Sequence, residues 1–440
     1  MAEAILGMRG PGSFTLGGSE RPTNFREKIL REYPNGPAPF MAILGMLKSE
    51  DCDDMKFTIF EQSFPDQVHA TVPTGEEPTT STDGGSQSAS TTDQWIVLDD
   101  ADYTNPQYYF KPGHIVRNET TGEVMLVLAR TATAANDSIK VVRGIGVGAT
   151  YGDNSGTIGT GGAVANGDVL TIIGNATIDG DNYPEAIAYQ PTTKWNFLEI
   201  FRTSLELTES ATKTYFRTGK LAENLKYDAA MMHSMELEKA FIFGKRDLLS
   251  AAPSGSYGEL SPTIYGRTST QDRTFTGGLN FFATSNTGSF SSGLTRNGLM
   301  DFLRPIYTVP GGSQNKIAFC GAQALGIFSQ YAEDLGQIFL EPKDQTYGLQ
   351  IRTLVHAWGE LKLVNHPLLS EHSVWTKNCY IVDTSNVMYR FLNGLDTRYL
   401  KNRQGNGELK TVDEFVTYAG LELRHNRTHG IATGIDAFVG

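Results

Sequence analysis

Residues 195–246 read WNFLEIFRTSLELTESATKTYFRTGKLAENLKYDAAMMHSMELEKAFIFGKR, and the second half of this stretch decides the fold. From 220 to 243 there is no proline and no glycine, and strong helix formers dominate, which predicts one uninterrupted helix stopped by Gly244. On a 3.6-residue wheel Leu221, Leu225, Ala229, Met232, Met235, Ala240 and Phe243 share one side, while Glu223, Lys226, Ser234 and Glu238 lie elsewhere. The expectation is an amphipathic rod with those apolar residues buried. At about 1.5 Å per residue it runs roughly 36 Å, longer than the usual three turns, and a rod of that length braces something. Ahead of it, Trp195, Phe197, Ile200 and Phe201 open a segment whose Thr203, Thr208, Thr212 and Thr214 favour extended or turn structure. Gly219 separates the two halves.

Around this rod the chain has 440 residues, 39% apolar and 20% charged, which predicts a folded soluble protein of several domains. Its 47 glycines, with abundant Thr, Ser and Asn, announce many turns and strands. Cys52, Cys320 and Cys379 lie far apart and cannot all pair within one chain, so buried thiols in a reducing compartment are expected. The N-terminal residues show neither a basic leader nor a long apolar run, and no window approaches a membrane span.

The net charge of -12 is unevenly spread. Residues 1–48 carry six Lys/Arg against four Asp/Glu, residues 49–190 six against 21, and residues 191–440 25 against 24. The acidic block repels phosphate and reads as a solvated lobe. No basic stripe with interleaved aromatics occurs, which argues against sequence-specific nucleic-acid recognition.

In chain order, residues 1–22 are rich in Gly, Pro and Ser and read as an arm, with Phe14 and Leu16 as apolar handles for another surface. A short helix is expected over 25–33, FREKILREY, then an apolar run from Phe40. Residues 71–92 hold almost nothing apolar and predict a polar loop. A half-buried strand is expected at 55–64, and short strands at 94–100, 107–118, 123–130, 138–144 and 168–177, forming a small antiparallel sheet or barrel ahead of the rod. Beyond the rod, the segment 278–284 reads as stranded. A helix over 296–307, a strand over 316–321 and a helix over 322–333 alternate like an α/β layer. Further strands are expected near 349–358, 360–366, 378–383 and 386–392, and the run 413–435 reads as one long strand or hairpin.

A search for chemistry finds no site. Gly144, Gly146 and Ala149 fit G-x-G-x-x-A, but no helix follows to bind a phosphate, and no phosphate loop or nucleophile elbow exists. His425 and His429 on a strand lie about 13 Å apart, too far for one metal ion. Asp99, Asp100, Asp102, Asp179 and Asp181 lack the glycine and terminal Glu of a calcium loop. Cys320 reads as a buried thiol, and Met231, Met232 and Met235 as packing. His366, before Pro367, has no assigned role. No catalytic, cofactor or metal residue is nominated. An arm, an acidic lobe, a stiff rod and a separate α/β layer look like parts built to contact copies of themselves.

The order of these parts resembles the major capsid proteins of tailed bacteriophages with the Hong Kong 97-like fold. The words that carry the resemblance are Trp195, Asn196 and Phe197 with Ile200 and Phe201, and the run 236–240 closing on Phe243 and Gly244. Gly359, Glu360, Leu361, Asn365 and His366 add to it, as do Leu421, Glu422, Leu423 and Arg424 followed by His429, Gly430 and Ile431. They cover about 190–440, and the first 190 residues match by order and character. The resemblance implies an α+β fold with an N-terminal arm (1–55), an extended loop with an inserted β-rich subdomain (56–190) and a peripheral domain (191–290) with a spine helix (220–243). An axial α/β domain (291–400) and return strands (401–440) complete it.

As function it implies self-assembly into hexamers and pentamers of an icosahedral head enclosing double-stranded DNA, without enzymatic activity, cofactor or membrane. Phe14, Leu16, Phe25, Trp195 and Phe197 are the candidate subunit contacts. Portal and scaffolding proteins, and a decoration protein, are the implied partners, with the virion shell as location and the host cytoplasm as site of assembly. The alternative is another structural virion protein, a tail tube or β-rich adhesin, which does not explain the long helix amid α/β alternation.

Overall fold

The computed structural model describes residues 38–62, 69–71, 94–98, 106–130, 138–143, 145, 164, 167–177, 179–180, 186–188, 190–214, 216, 220–249, 273–334, 344–346 and 349–439. The expected arm over 1–22, the expected helix at 25–33, most of the polar loop at 71–92 and the stretch 250–272 lie outside the described residues. The chain divides into two compact units, Met1–Ile59 with Thr193–Gly440, and Phe60–Thr192.

The Phe60–Thr192 unit is built on a six-stranded antiparallel sheet in the order His69–Thr71, Val169–Asn175, His114–Asn118, Val124–Arg130, Ser138–Val142, Gln94–Val97. Alternation puts Val116, Met125, Val127, Ile139, Val141 and Leu170 on one buried face. Arg143 is enclosed in this unit and grips Glu123 with two hydrogen bonds, 2.9 and 2.6 Å. Such a fork satisfies a buried guanidinium that would otherwise be costly to desolvate.

The other unit holds two larger sheets and several two-stranded ones. One runs Ser49–Cys52, Val387–Leu392, Lys410–Leu423, Glu199–Thr208, with Arg398–Leu400 also paired to Lys410–Leu423. Its backbone is the antiparallel match of Glu199–Thr208 with Lys410–Leu423, in register from Glu199 opposite Ala419 to Thr208 opposite Lys410. The second sheet has seven strands, in the order Thr287–Ser289, Gly430–Thr433, Cys379–Val382, Asn315–Cys320, Gly359–Asn365, Leu349–His356, Asp344–Thr346. Asn315–Cys320 runs parallel to Gly359–Asn365. The helix Ala322–Asp334 lies between them in sequence, the expected strand–helix alternation.

The central strands of the seven-stranded sheet are apolar on both faces, the mark of a sheet covered twice. Ala318, Cys320, Leu361, Leu363, Cys379 and Ile381 pack under the helices Arg296–Thr308 and Ala322–Asp334. Phe319, Val364, Tyr380 and Val382 turn the other way, toward Leu237, Phe241 and Ile242 of the long helix. The domain boundaries of the sequence reading shift accordingly. The chain changes sheets between Val382 and Val387, not near 400, and the seven-stranded sheet takes Thr287–Ser289 and Gly430–Thr433 from outside 291–400.

The rod itself spans Leu221–Phe243. Gly244 ends it because of close approach, since a Cβ there would collide with the carbonyl oxygens of Ala240 and Thr276. The buried face differs from the expected one. Ala229, His233, Leu237, Glu238, Phe241 and Ile242 are buried, whereas Met232 is 53% exposed and Leu221, Leu225, Met235, Ala240 and Phe243 are only half-buried. The reason is that two sheets claim the rod. Its first half rests on the antiparallel pair Glu199–Thr208 and Lys410–Leu423 through His233. Its second half lies between Phe201 and Tyr389 on one side and Phe319, Tyr380 and Val382 on the other, so the buried sector widens and swings round the axis. A single-stripe wheel cannot represent that.

Two other expectations change. The segment 278–284 is not stranded but contains a helical turn, Leu279–Phe282. Gly278 lies against the carbonyls of Ala240 and Phe241, which leaves no room for a side chain, and this tertiary contact overrides strand propensity. The run 413–435 is two strands in different sheets, Lys410–Leu423 and Gly430–Thr433, broken where His425 takes a left-handed backbone (φ 49).

Candidate functional site

The polar side chains sealed in the larger unit gather where elements distant in sequence meet the rod or the seven-stranded sheet. The first junction is at Glu238, which projects from the rod into the apolar core. The short helix Pro39–Leu44 starts with proline, and its first backbone N–H groups need an acceptor. The Glu238 carboxylate supplies it, taking the N–H of Phe40 at 2.8 Å and of Met41 at 2.7 Å. It also accepts from His366 Nε2 at 2.8 Å, and both side chains are fully enclosed. His366 caps the helix Pro367–Glu371, its Nδ1 accepting the Leu369 N–H, which fixes the hydrogen on Nε2. One carboxylate thus ties rod, N-terminal segment and seven-stranded layer.

At the second junction His233 links the rod to both strands of the antiparallel pair Glu199–Thr208 and Lys410–Leu423. Thr203 donates to Glu236, so its oxygen accepts from His233 Nδ1 at 3.0 Å, and His233 Nε2 accepts from Thr417 at 2.7 Å. Burial holds the His233 imidazole below its ordinary range, partly offset by Glu236.

The third lies under the seven-stranded sheet. Lys316 Nζ and Asp383 Oδ2 pair at 2.9 Å with neither side chain exposed. Asp383 also accepts from the Ser313 and Ser385 N–H groups and from Asn386. Burial alone would raise this carboxyl, but hydrogen bonds from Ser385, Lys316 and Ser313 outweigh it and hold Asp383 below the usual range. Burial lowers Lys316, with Asp383 opposing. The Asp383 N–H donates to His429 Nδ1 at 3.2 Å, and His429 Nε2 donates to the Arg424 carbonyl at 3.1 Å. Enclosure pushes His429 down to about 4.

At the mouth of the larger unit the word Trp-Asn-Phe is a clip. Trp195 is half-buried with Arg246 3.6 Å above its ring and Lys56 at 4.5 Å. Asn196 is buried and saturated. Its amide donates to Thr276, Gly277 and Leu421, and its oxygen accepts from Phe197 and Gly277. A cavity of about 10 Å³ beside Phe57, Trp195 and Phe282 holds at most one water.

The candidate contact residues fare differently. Phe14, Leu16 and Phe25 lie outside the described residues. Phe197 is only 8% exposed, so in this subunit it is core rather than a free contact, because its strand Thr192–Phe197 turns it inward beside Leu198. Trp195 keeps an open edge. Cys320 is a buried thiol. His429 is buried while His425 sits at the left-handed break, so the two do not share a face. Among the described residues no group of three or more His, Cys, Asp or Glu is placed to hold a metal, and no helix is long and apolar enough to cross a membrane.

Sequence reasoning misses Glu238 and His233, the first of which a helical wheel places on the rod surface and the second of which it leaves unassigned. A carboxylate immediately ahead of the apolar Ala240–Phe243 turn was the available signal for the first. For His366 it was the proline that follows, the pattern of a cap before a helix.

The family described as SU10 major capsid protein matches residues 12–436. The chain is similar to the major capsid protein of Pseudomonas phage PaMx41, 23% identical over 391 residues that cover 88% of this chain and 83% of that one. Among solved structures it is similar to a chain of Mycobacterium phage Adephagia (10% identity, 89% of each chain covered, TM-score 0.37). It is also similar to one from the cyanophage Pam1 capsid asymmetric unit (10% identity, 60% of this chain and 82% of that one, TM-score 0.35). The mixed α and β architecture and the order of its parts, an insertion ahead of a long helix and an α/β layer after it, agree with the order expected from the sequence. A family match over nearly the whole sequence decides the matter, and the chain belongs to the SU10 major capsid protein family.

Proposed function

We infer that this chain is the shell-forming subunit of a tailed-phage head, its copies joining as hexameric and pentameric capsomers that close an icosahedral container around double-stranded DNA. The observation that carries this reading is the family match over residues 12–436. The rod adds physical support. A subunit that must keep one shape while pressed from several sides needs its parts locked, and Glu238, His233 and the Lys316–Asp383 pair lock them. Closed symmetry then lets many modest contacts act together.

In this reading the rod with the five-stranded sheet is the peripheral domain, the seven-stranded layer the axial domain, and Phe60–Thr192 the insertion in the extended loop. The insertion reaches across neighbours. The near balance of charge over 191–440 suits a wall that confines DNA without gripping it. Its work is contact rather than turnover, and no cofactor takes part. Portal and scaffolding proteins, and a decoration protein, are its further partners, with assembly in the host cytoplasm and residence in the virion.

Negative-stain microscopy of the expressed full chain tests this. Closed shells or hexameric capsomers are expected. Tubes would favour a tail protein instead, and persistent monomers with turnover an enzyme.

A further inference from the structure

Cys320 ends the strand Asn315–Cys320, Cys379 begins the strand Cys379–Val382, and the antiparallel register sets the two directly opposite one another. The next pair outward, Gly321 and Asn378, is joined by a backbone hydrogen bond of 3.1 Å. Alternation therefore makes Cys320–Cys379 a non-hydrogen-bonded pair, the position where Cα atoms approach to about 4.5 Å, within the span a disulfide bridges. The sulfurs are 3.2 Å apart, with Cys320 donating its S–H to Cys379, and both residues are free thiols fully enclosed among apolar side chains. Nothing in the shell-forming role uses them.

We propose that Cys320 and Cys379 are a dithiol modification site that closes to a cross-strand disulfide when a peroxide-class oxidant reaches it, tying together two central strands of the seven-stranded sheet. The half-buried turn Trp375–Lys377 leads into Cys379 and follows the exposed residues 371–374. Cys379, whose sulfur accepts the Cys320 hydrogen, attacks one peroxide oxygen as thiolate. The O–O bond breaks, an S–O bond forms, and the departing hydroxide takes up the thiol proton as water. The Cys320 sulfur then attacks the sulfenic sulfur. The S–S bond forms, the S–O bond breaks, and the second hydroxide leaves with the second proton as water. Two electrons pass from the sulfurs to peroxide. Cys52 lies in the other sheet and is the internal reference.

The experiment treats the full chain, purified under reductant, with hydrogen peroxide, quenches with catalase, denatures, alkylates and measures intact mass and a peptide map. Two of the three thiols are expected to escape alkylation, with an intact-mass loss of about 2 Da before labelling, a linked 320–379 peptide and label retained at Cys52. Dithiothreitol restores all three labels. Cys52→Ser should give the same link with no thiol left, and Cys320→Ser should give none. Three labelled thiols after peroxide, a link involving Cys52, or sulfinic acid at Cys320 or Cys379 in place of the link would overturn the proposal. The Cys52→Ser result stands even where Cys320→Ser does not fold.

Discussion

Glu238 and His366 are 128 positions apart in sequence and 2.8 Å apart in the fold, each completely enclosed. The same carboxylate holds the first two N–H groups of the helix Pro39–Leu44, so three structural elements depend on one side chain. Glu238→Ala strands three donors at once, two of them buried, and should cost about 3–5 kcal/mol. Glu238→Gln, which keeps an oxygen at the site, should cost less. Urea unfolding reads both, and limited proteolysis should show residues 38–44 cut sooner in the alanine variant. Equal stability of all three proteins would refute the role assigned to Glu238.

Met232 and Leu237 separate the two readings of the rod. Leu237→Ala removes a buried side chain facing both sheets and should cost about 2–5 kcal/mol. Met232→Asp places a charge where the side chain is 53% exposed and should stay within about 0.5 kcal/mol of the parent in subunit stability. If thermal unfolding ranks them the other way, the original wheel is right and the structural one wrong.

His429 makes stability depend on acid. Its folded value, about 4, lies below the ordinary 6.5, so between those values the unfolded chain binds more protons. Its contribution is complete above about pH 6.5 and disappears as pH falls toward 4. The full swing is about 3 kcal/mol. His429→Asn offers an acceptor and a donor in similar places without titrating, so its denaturation midpoint should change less between pH 7.5 and 4.5 than the parent's. Parallel pH profiles for the two proteins would contradict this.

Lys316 and Asp383 form a buried pair whose halves are not independent. Lys316→Met alone leaves a desolvated carboxylate and Asp383→Leu alone a desolvated ammonium, each costing about 3–5 kcal/mol. The double variant should lose clearly less than the sum, and a double-mutant cycle in guanidinium measures the difference. Strict additivity would show that the ion pair is energetically silent.

Much of this architecture was legible from residue order. The rod's ends, the helix after Thr295 and the strand–helix alternation from 315 to 334 follow from caps, breakers and period, which are local. The rod's orientation was not legible. Met231, Met232 and Met235 add apolar surface all round it, and which side is covered depends on two sheets assembled from strands far away in sequence. The polar junctions were hidden for the same reason. Glu238 looks like a solvent-facing glutamate until the chain brings Phe40 and His366 to it. His425 and His429 were judged as strand neighbours because nothing local announces a left-handed break at His425.

The pairing of Glu199–Thr208 with Lys410–Leu423 also sets a timetable. On the ribosome the first strand emerges about 200 residues before its mate, a wait of roughly 10–40 s at ordinary translation speeds. Throughout that interval Phe201 and Leu207 have no partner strand beside them, and the rod has no finished floor. A nascent chain is therefore unable to acquire its mature outline early. Premature joining of half-made subunits is discouraged by the order of synthesis alone, before any helper protein acts.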